Sequence, residues 1–446
     1  SQKPNPWIYP EFNINAEHLF DTTGTALRFS ANYNPFWDIY AGNFDNHFLD
    51  ANSYDVATPS FFKTSNTLTF NNSNALLDFE KEFKKEFKIE TGIKHSYQEM
   101  NSDYYLKHQN YTTGDYVTDT AYSNVFNYQQ NISAIYLNLS KQYKKLSFQL
   151  GARGENTVIN TISKSNGLGF NRQYFNVFPL ASIDFKKSDL HAFSLSYNKR
   201  VNRPDYNLFN PFTTFLTMVI SHKGNAFLKP EYSHDFSFNY SYKTWMNHSV
   251  NFTRLVNAFM GYNTQNDSTK SYVSSATNLK WADIYSYNLY IQREVFKWWS
   301  VNLNATVFHV NANGMVNNLP YSFSYVAFNP NLYSRITLKK GYSIEVNAFY
   351  LTPFLEGIYN TKSRSSVNMT FMKTFLEEKL SVSLAFNDIF LGQIRSTNVN
   401  YQNIRMTGRQ TFDTRRVNIS INYNFGKLKV EQRQVKDIAP EGKSGK

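Results

Sequence analysis

Along most of this chain apolar and polar residues alternate one by one. In KPEYSHDFSFNYSYK (229–243), Phe236, Phe238, Tyr240 and Tyr242 fall on every second position, with Asp235, Ser237, Asn239 and Ser241 between them. Successive side chains point to opposite faces of a strand, so this stretch has an aromatic face and a hydrophilic face. VNISINYNF repeats the pattern, with Val417, Ile419, Ile421, Tyr423 and Phe425 set against Asn418, Ser420, Asn422 and Asn424. LSVSLAF (Leu380, Val382, Leu384, Phe386), KLSFQLGAR (Leu146, Phe148, Leu150) and VNLNATV (Val301, Leu303, Ala305, Val307) do the same. This periodicity predicts an all-β chain without a convincing helix. It also poses a question: whether the aromatic face touches a protein core or lipid.

The breaks in the pattern fall into two classes that alternate. Short turns are expected at DTTG (21–24), at the lysine pairs beginning at Lys84 and Lys144, at KKSD (186–189), TWMN (244–247), KWW (297–299), KKG (339–341) and EEK (377–379). Roughly 40 to 60 residues separate successive short turns, room for two long strands and a long, irregular connection. The clearest such connections are expected at 106–121, 161–170 and 202–228. Tight turns at one end and long loops at the other are the mark of a transmembrane antiparallel β-barrel of the outer-membrane type. Many strands look about ten or more residues long, enough to cross a membrane obliquely, whereas sandwich strands average about five to six. Starting near 11–20 and ending at 415–425, the count is about seventeen. That odd number puts Ser1 at the long-loop end and Phe425 at the short-turn end, and implies an unclosed barrel completed by upstream sequence or a partner chain.

Composition sharpens this picture. Among 446 residues stand 39 Phe and 32 Tyr, yet mean hydropathy is only −0.51. Both hold when apolar residues are dispersed singly. No apolar run approaches the ~18 residues of a membrane-spanning helix; FLTMVI (215–220) is much too short. The aromatic face therefore points to lipid and the hydrophilic one to a wet lumen. The absence of cysteine excludes a disulfide framework, a thiolate metal site and a cysteine nucleophile. The start, SQKPNPWIYP, carries no secretion signal, so either a leader was removed or the chain begins part-way through a larger protein. A net charge of +12 is spread in lysine pairs at turns rather than gathered into a stripe, which argues against nucleic acid as a partner.

Three stretches carry a family resemblance: NKRVNRPDYNLFNPF (198–212), GNAFLKPEYSHDFSFNY (224–240) and RRVNISINYNFGK (415–427). Together they resemble the barrel of Bacteroidota TonB-dependent outer-membrane receptors, in the outer-membrane β-barrel group that follows a plug domain. The resemblance implies a 22-strand barrel filled by an N-terminal plug with a TonB box. Plug, box and about five strands are not in this sequence, so about 17 of the expected 22 strands are present. On this reading residues 1–426 form the barrel, incomplete at its N-terminal side, and 427–446 form a disordered periplasmic tail in the cell outer membrane.

The motif residues Arg200, Arg203, Pro204, Asn210, Pro211, Phe212, Asn225, Leu228, Lys229, Pro230 and Glu231 bracket one outer loop and read as structural more than ligand-binding. Pro204 and Pro211 fix φ and end strand pairing; Pro230 stands at a strand start, where a missing donor is tolerated. Arg200 and Arg203 could meet lipopolysaccharide phosphates or an acidic ligand, but pairing with Asp205 or Glu231 to hold the loop is the favoured reading. Tyr206, Phe209 and Phe215 in YNLFNPFTTF are the candidates for ligand contact. Trp245, Trp298, Trp299 and Tyr342 flank short turns and suit an interfacial girdle. The nine histidines form no ligand pair of recognised spacing, although His222 and His234 flank the 229–231 motif. No nucleophile or phosphate-binding motif stands in a suitable context, so neither an enzyme nor a cofactor or metal site is expected.

The resemblance implies a receptor that binds a ligand at extracellular loops and imports it with energy coupled through the plug. Its partners would be outer-membrane lipid and lipopolysaccharide, TonB acting through the plug, the imported ligand, and a surface lipoprotein or complex partner. The alternative is a structural or docking barrel of a multi-protein outer-membrane complex without transport.

Overall fold

The computed structural model describes residues 9–425 except 23, 84, 85, 166, 218 and 378. The expected tail at 427–446 lies outside the described residues. The wall opens with β1 (Phe12–Leu19), β2 (Ala26–Leu49), β3 (Asp55–Phe83), β4 (Phe87–Gln109), β5 (Asn124–Tyr143) and β6 (Leu146–Ser163). It continues through β7 (Gly169–Lys186), β8 (His191–Asn202), β9 (Glu231–Tyr242), β10 (Met246–Val256), β11 (Ser271–Phe296) and β12 (Trp299–Val316). It ends with β13 (Leu319–Thr337), β14 (Tyr342–Leu351), β15 (Arg364–Phe375), β16 (Leu380–Asn387) and β17 (Arg416–Tyr423). Each strand pairs antiparallel with the next, in one meander. Among the described residues there are thus seventeen wall strands, as the alternation predicts, and no ladder joins β17 to β1.

At one end the ladders run almost into the turns, pairing Phe83 with Phe87, Tyr143 with Leu146, Tyr242 with Met246 and Phe296 with Trp299. The other end corrects the expectation of uniformly long, irregular connections. β2, β3 and β11 continue for 24, 29 and 26 residues, so much of the anticipated loop is extended hairpin. Residues 161–163 and 169–170 stay in strand, and β12 and β13 join through Asn317 and Asn318 alone, both at positive φ. Asparagine tolerates that left-handed geometry, which a two-residue hairpin turn needs. The 202–228 connection is not irregular either: it holds a helical turn, Tyr206–Phe209, and short strands Thr213–Phe215 and Ile220–Lys223.

The two faces of the wall differ as the pattern requires. Outward, register places Leu195, Phe238, Val250, Tyr287, Val307 and Phe328 in one row across β8 to β13. The next row toward the long-loop end is Tyr197, Phe236, Phe252, Tyr285, His309 and Val326, whose rings follow one another at centroid spacings of 4.7, 6.1, 4.9 and 6.1 Å. Phe236, Phe238, Val250, Tyr285 and Tyr287 are all exposed, with no protein layer over them. Inward, polar side chains bond across strands: Ser249 donates to Asn239 at 2.6 Å, Thr253 to Asp235 at 2.7 Å and Asn251 to Ser286 at 3.3 Å. A largely aromatic and aliphatic exterior with a hydrogen-bonded polar interior is the arrangement a bilayer selects, because the wall satisfies its backbone through neighbouring strands and presents mainly apolar side chains to the hydrocarbon. Trp298 and Tyr342 stand exposed beside the short turns, and the Arg293 guanidinium sits 4.5 Å from the Trp245 ring centroid, as an interfacial girdle would have it.

Candidate functional site

Toward the long-loop end the connection between β8 and β9 packs against the inner side of the wall. Asp205 caps its helical turn, accepting from the Leu208 N–H at 3.0 Å. The turn carries Phe209, only 1 % exposed, against Tyr128 and Phe170, while Leu228, fully buried, joins the same cluster with Leu68, Met100, Phe126 and Ile159. These partners lie on β3 to β7, across the lumen side of the wall, so the loop folds inward.

Polar bonds fix it there. Arg203 donates to Glu155 Oε2 at 2.5 Å and to Thr157 Oγ1 at 3.2 Å. Arg172 of β7 donates to the carbonyls of Leu228 and Ala226, the latter at 2.6 Å. Asn225 gives its amide to the Ala276 carbonyl at 3.0 Å and accepts from the Phe227 N–H at 2.9 Å. Lys229 and Asn278 exchange a reciprocal pair at 2.8 and 2.9 Å. Glu231 accepts from the Phe259 N–H at 2.7 Å and from Asn202 at 3.2 Å. At Gly224 a Cβ would meet the carbonyl oxygens of Asn207 and Leu208 at 2.5 and 2.7 Å, so only glycine lets the two halves of the loop approach.

This placement tells the motif residues apart. Arg203, Asn225, Leu228 and Glu231 fasten the loop, and Pro204 is buried with them. The partner of Arg203 is Glu155, not Asp205 or Glu231; its side chain is only 14 % exposed, too enclosed to meet lipid phosphates. Arg200 shares the inward face of β8 through its pairing with Ser233. Asn210 accepts from the Phe212 N–H at 3.1 Å, just after Pro211. Of the aromatic candidates, Phe215 packs against Phe62 and Tyr122. Tyr206 is partly buried, and desolvation pushes its hydroxyl up to about 12. His234 bonds the Tyr197 hydroxyl at 3.0 Å, while His222 pairs with Ser274 in a parallel ladder.

A second structure at the mouth escaped the sequence reading. Strands Phe354–Glu356, Tyr359–Thr361, Arg395–Tyr401 and Ile404–Gln410 make a separate loop sheet. One face buries Val399 and Ile404 against Leu279, Ala282, Ala312 and Val316 of the wall. The same face continues into a cavity of about 580 Å³ lined by Tyr359, Arg395, Thr397 and Gln410, with Arg409 of the opposite face at its edge. Arg395 is neutralised there by Glu356 at 2.7 Å; Arg409 makes no ion pair among the described residues. The cavity can therefore bond a polar ligand. These residues sit in polar loops with ordinary strand alternation, and only their pairing in space distinguishes them.

The fold is that of an outer-membrane barrel whose loops dress the mouth of the lumen. The chain belongs to the outer membrane protein beta-barrel family, whose model matches residues 18–423, and its place is the cell outer membrane. No curated protein matches it by sequence. Solved structures share its fold at low identity. The copper transporter OprC aligns at 10% identity and a TM-score of 0.69, over 94% of this chain and 65% of its own. The ferric-catecholate import receptor Fiu from E. coli K12 aligns at 13% and 0.62, over 94% and 64%. The ferripyoverdine receptor of the outer membrane of Pseudomonas aeruginosa aligns at 14% and 0.60, over 94% and 56%. The chain spans less than two thirds of the length of each.

Proposed function

We propose that this chain is the barrel portion of a TonB-dependent outer-membrane receptor of the Bacteroidota type, importing a ligand captured at its extracellular loops. Energy reaches it through a plug domain carried outside this sequence, and transport rather than catalysis is its activity. The inward-folded 203–230 loop carries the reading: a barrel whose mouth is furnished with buried aromatics and fixed arginines suits gated import better than a passive pore. The family match and the barrels of OprC and Fiu support it. The polar cavity at the loop sheet is the proposed first contact for the ligand, with Tyr206 and Phe215 as further candidate contacts; Phe209, only 1 % exposed, belongs instead to the packing that holds the loop.

The test is binding of the purified periplasmic domain of TonB to the native, full-length protein extracted from outer membranes. Saturable binding is expected. Its absence, with the barrel intact by heat-modified gel mobility, overturns the reading in favour of a docking barrel.

A further inference from the structure

The inner face of the wall divides into two unlike halves. On β4 to β7 it carries charge: Lys94, Arg153, Glu155 and Arg172 all project inward by register. The 203–230 loop is fastened to this half through Glu155 and Arg172. Polar side chains on β3 to β6 are also enclosed, Asn74, Ser96, Gln130 and Glu155 being 3, 6, 7 and 5 % exposed. On β9 to β13 two successive inner rows carry no charge. One reads Asn239, Ser249, Asn288, Thr306 and Asn329. The next toward the short turns reads Ser241, Asn247, Tyr290, Asn304 and Asn331. Asn288 bonds Asn304 at 2.6 Å and Thr306 at 2.8 Å, yet Asn304 and Asn331 remain exposed.

We propose that these two rows line the passage of an uncharged, hydrogen-bonding cargo, which descends along β9 to β13 and not along the charged half. The inference rests on the transporter reading and adds to it the side of the lumen and the chemistry of what passes. Side-chain amides and hydroxyls both donate and accept, so they can exchange bonds with a hydroxyl- or amide-bearing molecule as they do with water. They supply no counter-ion, so a charged cargo would lose hydration here with nothing to offset the loss. A second observation points the same way. The loop sheet stands over these strands, packed on Leu279 and Ala282 of β11 and on Ala312 and Val316 of β12. In its cavity Arg395 is already paired with Glu356, beside Tyr359, Thr397 and Gln410, and Arg409 belongs to the opposite face. Mouth and wall thus offer the same uncharged, polar chemistry on one side of the lumen.

The experiment places single cysteines in the native full-length protein in outer-membrane vesicles and adds thiol reagents from outside; this sequence contains no cysteine of its own. The reagents are the hydroxyethyl, sulfonatoethyl and trimethylammonioethyl methanethiosulfonates, which are neutral, anionic and cationic. Rates are referred to Thr269→Cys at an exposed loop tip, and labelling of the protein without an added cysteine is subtracted. The neutral reagent should modify Asn304→Cys and Asn331→Cys roughly a hundredfold faster than Ser96→Cys and Gln130→Cys in the enclosed half. At Asn304→Cys and Asn331→Cys it should also outpace both charged reagents roughly tenfold. Two positions in each half guard against one variant that fails to fold. Equal rates in the two halves, or a charged reagent that keeps pace with the neutral one, overturn the proposal. If neither Asn304→Cys nor Asn331→Cys reacts while TonB still binds, the proposal falls and the transporter reading stands.

Discussion

Arg203 and Glu155 meet at 2.5 Å although 48 residues separate them, and the contact ties the loop after β8 to the inner face of β6. Glu155 also accepts from Arg153, so one largely buried carboxylate is shared by two guanidinium groups. The wall thereby fixes how the mouth of the barrel is filled.

Arg203→Ala should cost about 2 kcal/mol, the scale of a buried hydrogen bond to a charged group, because Arg153 remains to pair Glu155. A lowered melting temperature in detergent checks this. Arg203→Lys should recover part of the loss but not all of it, since an ammonium lacks the planar fork that reaches Glu155 and Thr157 together.

Phe209→Ala should be more damaging, about 3–5 kcal/mol, because the ring fills a closed site between Tyr128 and Phe170. Hydrogen exchange should then rise across 203–230 while β9 and β10 stay protected. Unchanged exchange in the loop would show that its burial does not hold it in place.

Phe238→Arg and Asn239→Arg distinguish the two faces at adjacent positions. The first puts a charge into lipid and should cost about 2–4 kcal/mol; the second stays in the wet lumen and should cost much less. Folding yield into liposomes is the readout, and equal penalties would mean that the outward row does not face hydrocarbon.

Asp388 gives a pH dependence. Burial alone would push its carboxyl up, but the Thr414 hydroxyl at 2.6 Å, the N–H groups of Gly392 and Gln393 at 2.9 and 3.3 Å, and nearby Arg415 hold it below the ordinary carboxylate value. A lowered folded pKa contributes stability above the unfolded value, near pH 4, that is lost as pH falls through the folded one. Proteolytic nicking within 388–415 should therefore be absent at pH 7 and appear on acidification below about pH 4. Asp388→Asn should nick at both pH values.

The wall was legible because its signal is local: alternation marks each strand, and the lysine-bearing turns mark one end. The same locality explains what was not legible. Alternation does not say where a strand leaves the membrane, so the hairpin extension of β2 and β3 read as loop. Asn317 and Asn318 form a tight turn where a long connection was expected, because a two-asparagine turn is a small mark in an asparagine-rich chain. The partners of Arg203 and Arg172, and the packing of Phe209 and Leu228, depend on residues dozens of positions away that only the folded meander brings together. The motif marked the right loop without revealing that it turns inward.

The most direct measurement is the intact mass of the native protein purified from outer membranes. The transporter reading predicts a chain much heavier than 52.0 kDa, with sequence ahead of Ser1 supplying the plug and the strands that close the barrel. A native mass of 52.0 kDa would contradict it and turn the search toward a partner chain at the open edges of β1 and β17.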